Sequence, residues 1–138
     1  MAQGARPDLA FATSMLGKHS AAPAERHTAA ARRVLAYLCG TSNARLTSKA
    51  TDSIKFNAFV DADWAGDKQD RKSFSGAVFT IAGGAVSWIS RKQQAVAMSS
   101  TESEYVAAGV GGRKAIGLKQ LLQEMHVDTG AIDIHCDN

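Results

Sequence analysis

The apolar residues of this chain repeat first at a helical period and then at a strand period. Leu9, Ala12 and Leu16, and after them Ala31, Val34, Leu35 and Leu38, fall at i, i+3, i+4 and i+7. The spacing predicts two amphipathic helices over about 8–18 and 23–39. Pro7 and Pro23 are placed in their first turns, where a missing N–H costs nothing, and Gly40 is the stop. From Ala44 the period falls to 2: Phe56, Ala58 and Val60 alternate with Asn57, Phe59 and Asp61. Strand-like runs follow at 76–81 and 85–90, with Gly83-Gly84 expected as the hairpin turn. After Ser99 and Ser100 a long helix is predicted to about Met125, with Thr101 and Glu104 at capping-box spacing and Ile116, Leu118, Leu121 and Leu122 as its apolar series. Gly109, Gly111 and Gly112 weaken its middle by up to about 1 kcal/mol each. A short strand over 132–137 follows. Two helices, roughly four strands, a long helix and one more strand predict a mixed α/β layer architecture with the long helix on one sheet face. The change of period divides the chain into a helical segment, 1–43, and a sheet domain, 44–138.

Composition narrows this only a little. At 138 residues and 45% hydrophobic content the chain suits one small domain, or a domain with an appended piece. A net charge of +3 and a pI near 9.0 are compatible with a polyanionic partner and also common in ordinary globular proteins. Cys39 and Cys136 have no metal-ligand spacing and no secretory signal before them, so a reduced, intracellular setting without a disulfide is expected. The apolar runs are too short to span a bilayer. His19, His27 and the pair Arg32 and Arg33 read as a solvated face of the helical segment.

The stretch VDADWAGDKQD, residues 60–70, concentrates carboxylates beside a glycine. A calcium loop would need side-chain oxygens at positions where Ala65 and Lys72 stand, so that pattern fails and a cation here must borrow ligands from elsewhere. Asp61 at the end of the first core strand, Glu104 in the first turn of the long helix and Asp137 at the end of the last strand are the candidates. A right-handed crossover brings the two strand ends together under the helix. Three carboxylates at one sheet edge suit hydrated Mg²⁺, and a pair of such ions suits phosphodiester hydrolysis. The same residues have plain structural uses: Asp61 as a turn residue, Glu104 as a capping partner, Asp137 as a terminal residue. Asp63 shares the face of Asp61, so pattern leaves open which of the two is the ligand. Asp67 and Asp70 read as turn formers among Lys68, Arg71 and Lys72.

The segments DADWAGDKQDRKSFSGAVFTIAGGAVSWISRKQQAVAMSSTESEYVAA, GLKQLLQEM and IHCDN closely resemble the ribonuclease H domain of copia-type retrotransposon polyproteins. RPDLAFATSMLGKH and ARRVLAYLCGT resemble the end of the reverse transcriptase in the same polyproteins. The resemblance implies a ribonuclease H-like fold, lacking its last strand and helices, preceded by a two-helix segment. It implies hydrolysis of the RNA strand of RNA/DNA hybrids during reverse transcription, with two Mg²⁺ ions, Mn²⁺ being an alternative, and with reverse transcriptase and integrase as polyprotein neighbours. Its acidic motif carries over to Asp61, Glu104 and Asp137 as catalytic metal ligands. Glu104 is preferred to Glu102 because EYVAA looks like the start of the family's helix. Ser99, Ser100 and Thr101 occupy the stretch that approaches the minor groove of the hybrid, where hydroxyls can read RNA 2′-OH groups. Arg71, Lys72 and Asn138 are further nucleic-acid candidates. The family's fourth acidic ligand lies on a later helix, so the chain reads as a fragment carrying three of four ligands, and the glycines at 109–112 look like drift in a decaying copy.

Two other functions suit the same residues. One is an inactive remnant that binds nucleic acid through Arg71, Lys72, Arg91 and Lys92 beside Trp64 and Trp88. The other is a structural support for the polymerase. Metal-dependent cleavage separates the enzyme from both.

Overall fold

The computed structural model describes residues 4–48 and 54–137, which belong to two compact units, Met1–Leu46 and Thr47–Asn138. In the first unit a 3₁₀ turn over Pro7–Leu9 leads into α1 (Ala10–Gly17), and α2 spans Glu25–Gly40. Pro7 opens the 3₁₀ turn as expected, but Pro23 lies before the N-cap Ala24, outside α2. His19 and His27 are not merely solvated: their rings stack at 3.8 Å, and His27 Nδ1 accepts from the Ala24 N–H at 3.0 Å, closing the first turn of α2. Burial, with the nearby charges of His19 and Arg26, lowers the His27 pKa.

One ion pair ties the start of this unit to α2. Arg6 donates from Nε and Nη2 to the two carboxylate oxygens of Asp8, at 3.0 and 2.8 Å, and Tyr37 of α2 donates its hydroxyl to Asp8 Oδ2 at 2.9 Å. These bonds, the Arg6 pair foremost, hold the Asp8 carboxyl down at about 2. A depressed carboxyl stabilises the fold above its ordinary range and loses that contribution as pH falls through the folded value. The signal of Tyr37 in circular dichroism or fluorescence is therefore expected to stay native at pH 4 and to change as the pH approaches about 2. An equal change by pH 4 would mean that Asp8 does not hold α2.

The second unit is a four-stranded mixed sheet with one covering helix. β1 (Phe56–Asp63), β2 (Phe74–Ile81) and β3 (Gly84–Lys92) form an antiparallel meander. The crossover helix α3 (Ser100–Glu124) then returns the chain to β4 (Ile132–His135), which pairs with β1 in parallel. The order is β3-β2-β1-β4, compatible with a ribonuclease H-like fold. Three strands precede the long helix among the described residues, where the sequence pattern suggested roughly four. Phe56, Ala58 and Val60 of β1 meet Ala77 and Phe79 of β2 and Ala107 and Ala115 of α3 in the core. Leu118 and Leu122 pack on that core, whereas Ile116 and Leu121 of the predicted apolar series are exposed.

Turn and cap positions differ from the sequence reading for identifiable reasons. Register pairs Ile81 with Gly84, so the turn residues are Ala82 and Gly83, with φ of 51° and 76°. Two positive φ values are what a two-residue hairpin of this twist demands. Gly84 is the first residue of β3, and a Cβ there would lie 2.7 Å from Ser48 Cβ. The α3 N-cap is Ser99, whose Oγ accepts from the Glu102 N–H at 3.1 Å, and Glu102 Oε2 accepts from the Met98 N–H at 2.6 Å. The cap is therefore built on Ser99 and Glu102 and not on Thr101 and Glu104.

Nor are the α3 glycines uniformly a weakness. A Cβ on Gly111 would come within 2.6 Å of Val60 Cγ2, so this glycine lets the helix seat directly on β1. Gly109 and Gly112 face open space. Alanine at 109 or 112 is expected to stabilise by up to about 1 kcal/mol each. At 111 the clash with a buried, stiff valine costs about 1–3 kcal/mol, so the net change is destabilising. Denaturant midpoints of the three variants test this, and equal shifts at all three positions would refute the packing role of Gly111.

Candidate metal centre

Three elements place their acids at one point. His135 of β4 sits opposite Phe59 of β1, so extending the parallel register brings Asp137 level with Asp61. Glu104 lies early in α3, on the side of the helix that packs against β1 and β2. One carboxylate oxygen from each of Asp61, Glu104 and Asp137 lies within 4.8 Å of the others. Oxygens sharing one Mg²⁺ at about 2.0–2.1 Å stand about 3–4 Å apart, so small side-chain adjustments suffice for all three to reach one ion.

Glu104 is the most constrained of the three. Its Oε1 accepts from the Ala62 N–H at 3.2 Å, while its Oε2 is buried with no hydrogen-bond partner. A buried carboxylate oxygen left bare is costly, and a cation satisfies it. Burial, with the neighbouring charges of Asp137 and Asp61, pushes the Glu104 carboxyl up, and the Ala62 bond opposes this. A bound cation would reverse that trend by favouring the ionised form. Because Glu102 supplies the cap, Glu104 is left to face the cluster.

The other acids of the 60–70 stretch have other partners. The Asp63 carboxylate lies over Gly66: a Cβ there would fall within 3.0 Å of both carboxylate oxygens and the carbon between them. In this structure Asp61, and not Asp63, stands in the cluster. Asp67 is 2% exposed and pairs with Lys92 Nζ at 2.5 Å, and its Oδ1 accepts from the Gln69 N–H at 3.0 Å. Asp70 joins the same lysine at 2.8 Å. The Lys92 bond lowers the Asp70 pKa, and the two acids raise that of Lys92. Asp67 is thus more than a turn former, and Lys92 is committed to the loop instead of free to grip nucleic acid.

Of the nucleic-acid candidates, Ser99 spends its hydroxyl on the helix cap, while Ser100 and Thr101 are exposed beside it. Arg71, at φ 59°, and Lys72 lie in the loop between β1 and β2, the first exposed and the second half-buried. Asn138 is outside the described residues. The indole N–H of Trp64 donates to the Ala97 carbonyl at 3.2 Å. Trp88 pairs with exposed Val78 whereas Arg91 pairs with buried Ser75, so the two stand on opposite sheet faces and form no joint patch.

No protein-family model matches the chain, and no solved structure matches it significantly. Curated proteins do. The retrovirus-related Pol polyprotein from transposon TNT 1-94 of Nicotiana tabacum is 40% identical over 133 residues, 96% of this chain and 10% of the polyprotein. The corresponding polyprotein from transposon RE1 of Arabidopsis thaliana is 37% identical over 134 residues, again 96% of this chain and 9% of the polyprotein. The secreted RxLR effector protein 161 of Plasmopara viticola is 43% identical over 113 residues, 82% of this chain and 80% of that protein. The chain thus spans about a tenth of the Pol polyproteins it matches and most of the effector protein. It belongs to the family of sequences that these transposon Pol polyproteins and the effector protein share.

Proposed function

We propose that this chain is the metal-binding part of a ribonuclease H domain in a copia-type retrotransposon polyprotein, hydrolysing the RNA strand of RNA/DNA hybrids during reverse transcription. The observation that carries this reading is the meeting of Asp61, Glu104 and Asp137 from three separate elements, one of them with a bare buried oxygen. These three would hold Mg²⁺ or Mn²⁺, which when bound in pairs activates water and stabilises the leaving oxygen in phosphodiester cleavage. Contrary to the sequence expectation, neither acid ends its strand: Asp61 lies two residues before the end of β1 and Asp137 two residues past the end of β4, and both are exposed, so on this reading their carboxylates would face the substrate. Glu104, fixed by the Ala62 N–H, sets the cluster against the sheet. Ser100 and Thr101 are exposed at the head of α3, and on this reading their hydroxyls would meet the 2′-OH groups of an RNA strand. The helical segment 1–43 is the end of the preceding reverse transcriptase on this reading.

Mn²⁺ binding tests the site without requiring turnover. Loss of a residue that merely orients a ligand typically costs 10–100-fold in metal affinity, and loss of a ligand costs at least as much. Glu104→Gln, which keeps the shape and can still accept from Ala62, is expected to weaken Mn²⁺ binding by more than about tenfold in calorimetry. Glu102→Gln is expected to leave it unchanged. Equal effects of the two, with both variants folded, would remove Glu104 from the site.

A further inference from the structure

A cleft lies on the same sheet face as α3, toward the β3 edge. It measures about 290 Å³ and is lined by Ser75, Arg91, Gln93, Val106, Val110 and Arg113, with Lys92, Gln94 and Ala95 completing it. Its volume is near the small end of the range typical of small-molecule pockets, roughly 300–1,000 Å³. Its floor is fixed: Gln93 is buried, and its side-chain N–H group donates to Ser75 Oγ at 3.0 Å and to the Ser103 carbonyl at 2.9 Å. The Lys92 charge is balanced by Asp67 and Asp70. Arg91, at the end of β3, and Arg113, on α3, are exposed, and among the described residues neither has a carboxylate partner. Two unbalanced guanidinium groups from separate elements therefore border a cavity walled by two valines.

That combination selects an anion with an apolar face. Guanidinium forks match phosphate oxygens in pairs, and they do so with more geometric definition than an ammonium. The valine side chains offer no hydrogen bond to an ion's hydration shell and suit a flat, weakly polar surface such as a nucleobase or sugar. We propose that the cleft is a nucleotide-binding subsite, with Arg91 and Arg113 taking the phosphate and Val106 and Val110 the nucleoside. A nucleotide within a strand and a free nucleotide offer the same chemistry. The proposal stands on the cleft and does not rest on the metal-site reading, since its residues are separate from Asp61, Glu104 and Asp137.

The test is an NMR titration of the whole ¹⁵N-labelled chain without metal, using adenosine monophosphate, inorganic phosphate and a short oligothymidylate as probes. The arginine Nε–H signals of Arg91 and Arg113 and the amides of Gln93, Val106 and Val110 are expected to shift together and saturate with the mononucleotide, and less with inorganic phosphate. Arg113→Gln is expected to raise the apparent Kd by about tenfold, the loss of one charge-assisted hydrogen bond. Lys114→Gln, which removes the same charge from the next residue of α3, is expected to leave it near the native value. The same residues shifting only with the oligothymidylate would assign the site to a strand, and shifting only with the mononucleotide would assign it to a free ligand. No saturable shift at these residues with any probe, or equal losses in Arg113→Gln and Lys114→Gln with native-like spectra, would overturn the proposal.

Discussion

Asp61→Asn is expected to lower metal-dependent cleavage of the RNA strand of a hybrid by at least about 100-fold, the scale on which losing one electrostatic stabiliser acts. Affinity for the hybrid is expected to stay within about twofold, since on the proposed reading it would rest on phosphate contacts by basic side chains that the substitution leaves in place. Asparagine keeps the size of the side chain but removes the charge that the cluster contributes. Asp63→Asn is the informative comparison: its carboxylate lies over Gly66 and outside the cluster, so it should affect cleavage little. The measurement is gel-resolved cleavage of a labelled hybrid with Mg²⁺ or Mn²⁺. It is made on this chain and on the same chain set within the flanking sequence of a Pol polyprotein, of which the matched segment is about a tenth. Survival of cleavage in Asp61→Asn together with its loss in Asp63→Asn would move the first ligand to Asp63. Cleavage in neither setting, despite Mn²⁺ binding, would leave a metal site without this reaction.

What could be read from the sequence followed the range of the interactions involved. Period alone located the sheet and the long helix, because burial of Phe56, Ala58 and Val60 against Ala107 and Ala115 is what the alternation and the helical spacing encode. The crossover rule predicted Asp61 and Asp137 side by side, and β4 does pair with β1 in parallel, in a register that brings the two level. Competing local signals were harder. Ser99 with Glu102 and Thr101 with Glu104 both have the capping spacing, and only the fold shows that the first pair caps the helix and the second glutamate turns to the sheet. The choice between Asp61 and Asp63 was likewise undetermined by period, and depended on the Gly66 turn drawing Asp63 aside. Gly111 illustrates the same limit in reverse. Propensity ranks it with Gly109 and Gly112, but contact with Val60, distant in sequence, gives it a separate role. The sequence singled out Arg91 as a basic candidate but gave no sign of its cleft or of Arg113, since the cleft's walls come from three elements with no common spacing.

The acidic stretch itself divides its carboxylates between two tasks, and the larger structural one leads to the strongest stability prediction. The loop between β1 and β2 is closed by the Ala65 N–H donating to Ser73 Oγ at 3.1 Å, the Asp67 N–H to the Lys72 carbonyl at 3.0 Å and the Arg71 N–H to the Asp67 carbonyl at 2.7 Å. It is joined to the end of β3 by the Gln93 N–H donating to the Ser73 carbonyl at 2.8 Å and by the buried Asp67 bound to Lys92. Removing one partner of a buried pair typically costs about 3–5 kcal/mol, because the other charge is stranded. Lys92→Met leaves Asp67 charged and buried, so the low end of that range, about 3 kcal/mol, is expected, which for a domain of this size is a fall in Tm of roughly 10–20 °C. Asp67→Ala should cost less, because Lys92 is partly exposed and retains Asp70, and Asp70→Ala at the exposed end should have a small effect. The double variant Asp67→Leu with Lys92→Met separates charge from packing. If the pair acts through mutual neutralisation, the double variant is more stable than Lys92→Met alone, because no charge is left buried. Additive losses in the two single variants and the double would show that the loop is held by its backbone bonds and that the ion pair contributes little.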